Sequence, residues 1–384
     1  MGLLYFFIDI TRACLRGRLL YSCWLLSLFV FMSIGLSAYL HQLKEGLVVT
    51  GMNDHVSWGL YISNFTFLVG IAAAAVMLVL PTYVLDQVDF SKAVLMGEGV
   101  AVSALVMCLA FVTVDLGHPE RAWHLIPFIG YFNFPSSMLA WDVLVLNGYL
   151  LLNFCIPCYI LYCKYRGRQP DKKKYVPFVY LSVFWAVGIH MVTAFLYAGL
   201  PARPFWNNAL LGPRFLASAF AAGPAFIIIV LAVIRKFSDY EVRDIIFKKL
   251  AMITTVAAQI NLIMLGSEVF KEFYASTAHS HSATYLFFGL HGKNALVPWI
   301  WTSIGLNLFA TIALTYHKLR RNKYTLYFLC IVIFIAIWIE KGMGLIVPGF
   351  IPLSIINCIY INSYIMLRCP KNSSYQIVST KLIS

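Results

Sequence analysis

The stretch "DLGHPERAWHL", residues 115–125, gathers Asp115, His118, Glu120, Arg121 and His124 in a chain that is otherwise sparing of charge. Imidazoles change protonation near neutral pH, carboxylates orient them or relay protons, and a guanidinium steadies developing negative charge on oxygen. Such a group suits proton handling. Seven histidines, His41, His55, His118, His124, His279, His281 and His291, fall in or beside loops on one predicted side of the chain. That side is the expected working face.

Beneath it, the apolar runs carry Glu98, Asp142, His190, Arg214 and Glu268. A charge at the centre of a membrane helix costs about 2.5–3.5 kcal/mol even on lenient insertion scales, so these residues need a reason. Counting helical turns places Asp142, Arg214 and Glu268 about one to two turns below the working face, and His190 about three. Glu98 lies towards the opposite side, where a buried acid between Gly97 and Gly99 suggests a proton route through His190. Glu268 and Glu272 stand at i and i+4 in "GSEVFKEFY" and so share a helical face, with Lys271 beside it. Two carboxylates so placed suit successive proton transfer. The competing reading pairs Asp142 or Glu268 with Arg214 to fix helix packing, leaves Glu272 solvated, and makes Glu98 a packing hydrogen-bond donor.

These residues need a scaffold, and composition names it. The 384 residues are 61% hydrophobic, 16% aromatic and 12% charged, whereas soluble domains carry about 25% charge. An all-α polytopic membrane protein is expected, with ten apolar runs long enough to span a bilayer: 19–40, 58–84, 92–114, 136–163, 176–199, 212–234, 249–275, 294–317, 323–346 and 349–367. The whole chain, 1–384, forms one membrane domain, because no loop has room for a soluble one. The first run follows Arg12, Arg16 and Arg18 as a signal peptide would, but its length predicts a retained span.

The net charge of +13 does not indicate nucleic acid. With ten spans both termini share a side, and 22 of the 29 basic residues fall there against 7 opposite. That bias predicts cytoplasmic termini and an outer working face. The clusters "KYRGRQPDKKK" and "KLRRNK" are topology signals. "FLVGIAAAAVMLVL" in the second run and "FLASAFAAGPAFIIIV" in the sixth share an aromatic start, a small-residue patch and a bulky tail. Small residues let membrane helices approach, so both patches are expected to be packing seams, four spans apart in two like-oriented units.

Redox centres are disfavoured by spacing. Cys155 and Cys158 form a single CxxC within a span, with no second pair and no covalent-haem motif. Only His190 lies deep enough to bind embedded haem. The nine cysteines are expected to be small apolar core residues, and no metal site is expected. In "GMNDHVSWGLYISNF", Asn53, Asp54 and His55 precede Trp58, an interfacial aromatic. Tyr61 and Asn64 are three apart on one face and suit a polar ligand head.

Together, "GMNDHVSWGLYISNFTFLVGIAAAA", "DLGHPERAWHL", "MLAWDVLVLNGYLLLNF", "GLPARPFWNNALLGPRFLASAFAAGPAF" and "LGSEVFKEFY" resemble the NrfD-like family, the membrane subunits typified by polysulfide reductase. The likeness is strongest to the ten-helix branch of the Dsr and Hmc-type electron-transfer complexes and covers residues 51–300. It implies two four-helix bundles plus extra helices in a prokaryotic inner membrane. It also implies a quinone, menaquinone or ubiquinone, bound at the outer side, with no haem, cluster or metal of the chain's own. The implied partners are a ferredoxin-like iron-sulfur subunit on the outer face, other membrane and cytochrome subunits, and lipid. By position, the resemblance assigns the quinone site to Tyr61, Asn64, Asp115, His118, Arg121, His124 and Asp142. In that role His118 or His124 accepts a quinol proton, Asp115 orients or relays, and Arg121 holds a carboxylate or the quinone oxygen. Two rivals remain at this point: an ion or proton transporter, whose polar site belongs near the midplane, and a passive anchor for a redox complex.

Overall fold

A computed structural model describes residues 2–17, 19–52, 56–84, 87, 90–200, 203, 205–274, 280–290 and 292–350. The tenth predicted span, almost all beyond Phe350, and the expectations on Asn53, Asp54, His55, His279 and His291 lie outside the described residues. Thirteen α-helices follow in order: α1 Gly2–Leu15, α2 Leu19–Glu45, α3 Leu60–Ala73, α4 Val76–Val79, α5 Ser91–Asp115, α6 Met138–Tyr165 and α7 Lys172–Ala198, then α8 Leu211–Phe237, α9 Asp244–Tyr274, α10 Ser280–Phe287, α11 Val297–Thr315, α12 His317–Arg321 and α13 Lys323–Lys341. Among the described residues nine helices are long and apolar enough to cross a membrane, and they coincide with the first nine predicted spans.

Local chemistry sets where helices begin. Ser137, Asp171 and Asn322 each turn a side-chain oxygen onto the first backbone N–H groups of α6, α7 and α13. Pro157, Pro177 and Pro224 sit inside α6, α7 and α8, where neighbouring helices tolerate them in a membrane. α3 and α4 are one span interrupted by a turn at Ala74 and Ala75, which ends in a π-helical segment, Leu80–Val84.

The spans form two rings of four. In the first, α3 packs on α5, α5 on α6, α6 on α7, and α7 closes on α3. In the second, α8 packs on α9, α9 on α11, α11 on α13, and α13 closes on α8. α3 and α8 cross at the join, flanked by α7 against α8 and α13 against α3. This is the repeat of like-oriented units that the two small-residue patches predicted. The patches meet each other: a Cβ on Gly70 would lie 3.5 Å from Ala219, and one on Gly223 would fall 2.1 Å from the Ala74 Cβ. Backbones come this close only because side chains are missing.

α2 stands outside both rings. Gln42, near its C-terminal end, is the one residue of this helix that is buried. α1 lies against α6, with Phe6 edge-on to Tyr162 and Tyr165, and Asp9 accepting from the Tyr165 hydroxyl at 2.7 Å. α3, α6, α8 and α11 begin, and α5, α7, α9 and α13 end, at the side carrying the 119–125 segment, called the loop end below.

Candidate functional site at the loop end

α5 stops at Asp115 because Leu116 turns extended, and Pro119 then opens a 3₁₀ turn, Pro119–Leu125. Pro at a first helical position has no N–H to leave unpaired. His118 Nδ1 and Glu120 Oε1 are 2.8 Å apart, both largely exposed. The backbone N–H of Glu120 and the His118 ring hold the Glu120 carboxyl below the usual range. Arg121 is exposed. His124 packs between Trp123 and Tyr131, with ring centres 4.0 and 5.5 Å away. The loop therefore presents two imidazoles and a guanidinium at its surface. Asp115 faces inward: its Oδ1 is buried and has no hydrogen-bond partner.

Below the loop, each predicted residue is found in a defined setting. Tyr61 donates to Gln42 Oε1 at 2.8 Å, and Gln42 donates to the Val114 carbonyl at 2.6 Å, which fastens the end of α2 onto α3 and α5. Asn64 accepts from Trp338 Nε1 at 2.8 Å across to α13. Asp142, 2% exposed, accepts from Thr193 Oγ1 at 2.9 Å. Tyr197 hydrogen-bonds Thr66. An aromatic wall completes the region: Trp58 stacks on Trp206 at 5.6 Å, and Tyr197 meets both edge-on. An aromatic cluster, the Asp115 and Asp142 carboxyl groups and the loop imidazoles thus all lie towards the loop end.

The second ring carries a separate charged core. Arg214 bridges Glu268 and Glu340, the latter at 2.9 Å, with all three buried. Of the two sequence-level pairings, the structure makes Arg214 with Glu268, and Asp142 goes to Thr193 instead. Asn261 and Asn307 donate to Glu340 at 3.1 and 3.2 Å, and Asn208 donates to Glu268 at 3.2 Å. Glu272 is buried, not solvated as the competing reading had it. Glu340 and Lys341 were missed by sequence reasoning. Their signal was two adjacent charges inside the ninth apolar run, passed over because they stand near its end.

Glu98 is buried in the half of α5 far from the loop end, and Tyr83 donates to its carboxylate at 3.3 Å. His190 is buried, with Nδ1 2.9 Å from the Ala186 carbonyl. Among the described residues no three His, Cys, Asp or Glu side chains converge as a metal site would require. Cys108 and Cys330 are core residues, but Cys14, Cys23 and Cys155 are exposed on helix surfaces and not in the core.

Comparison with known proteins adds a chemical context. A family model described as "Polysulphide reductase, NrfD" matches residues 48–351. A selenate reductase subunit of Mesobacillus selenatarsenatis is 24% identical over 64% of this chain and 64% of its own length. The Hdr-like menaquinol oxidoreductase integral membrane subunit of Archaeoglobus fulgidus is 22% identical over 64% of this chain and 59% of its own. The menaquinone reductase integral membrane subunit of Nitratidesulfovibrio vulgaris is 26% identical over 59% of this chain and 58% of its own. The chain thus matches less than two thirds of the length of each of these three relatives.

Proposed function

The chain belongs to the NrfD family of multi-pass membrane proteins, and from that premise we propose that it exchanges electrons and protons between a membrane quinone and a multisubunit oxidoreductase. The relatives named for menaquinol or menaquinone support the substrate class. The observation that carries the reading is that the first ring holds, towards its loop end, both a buried Asp115 oxygen without a partner and the buried Asp142 carboxylate.

A quinol that becomes a quinone gives up two electrons and two protons, so its site needs proton acceptors as well as an electron exit. Asp142, aligned by Thr193, faces one ring oxygen and takes or gives its proton. His118, oriented by Glu120, and His124 serve the other, and Asp115 relays the proton. Arg121 balances negative charge on the oxygen as the proton leaves. Tyr61 and Asn64, held through Gln42 and Trp338, tie the loop-end half of α3 to α2 and α13 and offer polar contacts to the quinone head.

In this reading electrons pass to or from an iron-sulfur subunit docked on the loop-end face. The bias of basic residues towards the opposite end favours an outer position for that face in an inner membrane. The test is quinol-dependent electron transfer by the purified complex carrying His118→Ala. Loss of a general base lowers the rate about 100-fold or more with the complex still assembled. A native rate in that variant would remove His118 from the site.

A further inference from the structure

A row of ionisable groups runs through the second ring to its border with the first. His190 begins the row. Its Nδ1 faces a backbone carbonyl and must carry the hydrogen, which leaves Nε2 as a lone-pair acceptor, buried and without a partner. His190 shares a cavity with Lys341, Thr66 and Ser218. The Lys341 ammonium lies 3.7 Å from the Phe215 ring centre. Its neighbour Glu340 is gripped by Arg214, Asn261 and Asn307, and Arg214 reaches on to Glu268. Beyond Glu268 a second cavity is lined by Arg214, Glu268 and Glu272. Glu272 is 5% exposed, and its Oε2 has no partner. Its other oxygen lies 3.5 Å from Lys271, whose side chain is 53% exposed.

We propose that this row is a proton route between the junction of the two rings and the loop-end face, with Glu272 as its outer gate. It rests on the quinone reading above, because the junction end adjoins the pocket: His190 and Thr193 are three apart on α7, and Thr193 holds Asp142. A purely structural ion cluster has its polar atoms paired and sealed, since an unmatched charge in low dielectric is costly. Here pairing is incomplete along the row: Arg214 Nε and Asn261 Oδ1 in its middle are buried without a partner, as are His190 Nε2 and Glu272 Oε2 at its ends. Each end leaves one buried polar atom beside a cavity, which is where water bridges such groups. Arg214 keeps its charge throughout, and Glu340, bonded by three side chains, is its fixed counter-anion. The exchangeable protons sit on His190, Lys341, Glu268 and Glu272. Each step moves one proton between a nitrogen or carboxylate and water, and no electron moves with it.

The experiment uses the whole complex with Glu272→Gln. Quinol-dependent turnover falls about ten-fold, the solvent deuterium isotope effect rises, and azide or formate, which carry protons as small weak acids, restores the rate. A quinol-site inhibitor binds the variant with native affinity. A native rate and isotope effect, or a loss that neither weak acid restores, overturns the route. A second measurement does not need turnover: dicyclohexylcarbodiimide, which modifies protonated carboxyls in apolar surroundings, forms an adduct at Glu272 in the native complex. Absence of that adduct at acid and alkaline pH alike also overturns it. Failure of the quinone reading looks different, as a native complex with no quinol-dependent turnover at all.

Discussion

The Thr193 hydroxyl donates to the Asp142 carboxylate at 2.9 Å across the α6–α7 seam, with both side chains buried. Thr193→Val keeps the shape and deletes the donor, leaving a buried acceptor short of a partner at about 1–3 kcal/mol. Quinol-dependent turnover of the complex is expected to fall about ten-fold or more for a loss of that size. Thr193→Ser restores the donor and most of the rate. Equal rates in the Val and Ser variants would show that the hydrogen bond does not serve the reaction.

Two glycines separate packing from freedom. A Cβ on Gly223 meets Ala74 at the α3–α8 crossing, whereas one on Gly99 finds nothing within 4 Å. Gly223→Val should destabilise the chain by about 1–3 kcal/mol through overpacking. Gly99→Ala should instead stabilise it by about 0.5–1 kcal/mol, the helix-propensity difference. Thermal unfolding in mild detergent measures both. A lower midpoint for Gly99→Ala, or an unchanged one for Gly223→Val, would contradict the seam.

The exposed His118–Glu120 pair separates a role in the reaction from a role in stability. Glu120 has a depressed pKa, so the stability it contributes is present above the ordinary carboxylate range and is lost as pH falls through the lowered value. Full exposure to solvent makes that contribution too small to move a melting curve. Glu120→Ala therefore leaves thermal stability unchanged at neutral and mildly acid pH, yet lowers quinol-dependent turnover because the His118 ring loses its tether. A clear stability change in this variant would show that the pair belongs to the fold and not to the reaction.

Much of this was legible in the sequence, for physical reasons. Apolar run length located the first nine spans, because a bilayer demands a fixed length of apolar helix. The Ala- and Gly-rich patches were legible as packing seams because small residues let helices approach, but that they pack on each other was not. Depth along the helices flagged Asp142, Arg214, Glu268 and His190 as buried. Their partners were not legible. Asp142 to Thr193 and Arg214 to Glu340 join residues distant in the chain, and a helix count gives depth without rotation. Gln42 was invisible for a related reason: an uncharged amide near the end of an exposed helix carries no sequence mark until its contacts with Tyr61 and Val114 are seen.

The loop end also shows where a soluble partner should sit. Phe128, Ile129 and Tyr131 project with large exposures of 105%, 70% and 77%, beside the His118–His124 stretch. A photo-crosslinker at Phe128 or Tyr131 should capture the iron-sulfur subunit in the assembled complex. Capture of that subunit only from the basic segments 164–174 and 318–323 would reverse the sidedness.

The most direct measurement of the central claim is photolabelling of the native complex with an azido-quinone, followed by peptide mapping. The account predicts label within residues 58–66, 115–124 and 138–146, competed away by unlabelled quinol and diminished by Asp142→Asn. Label that is competed by quinol but confined to α9, α11 or α13 would place the quinone in the second ring and contradict the account.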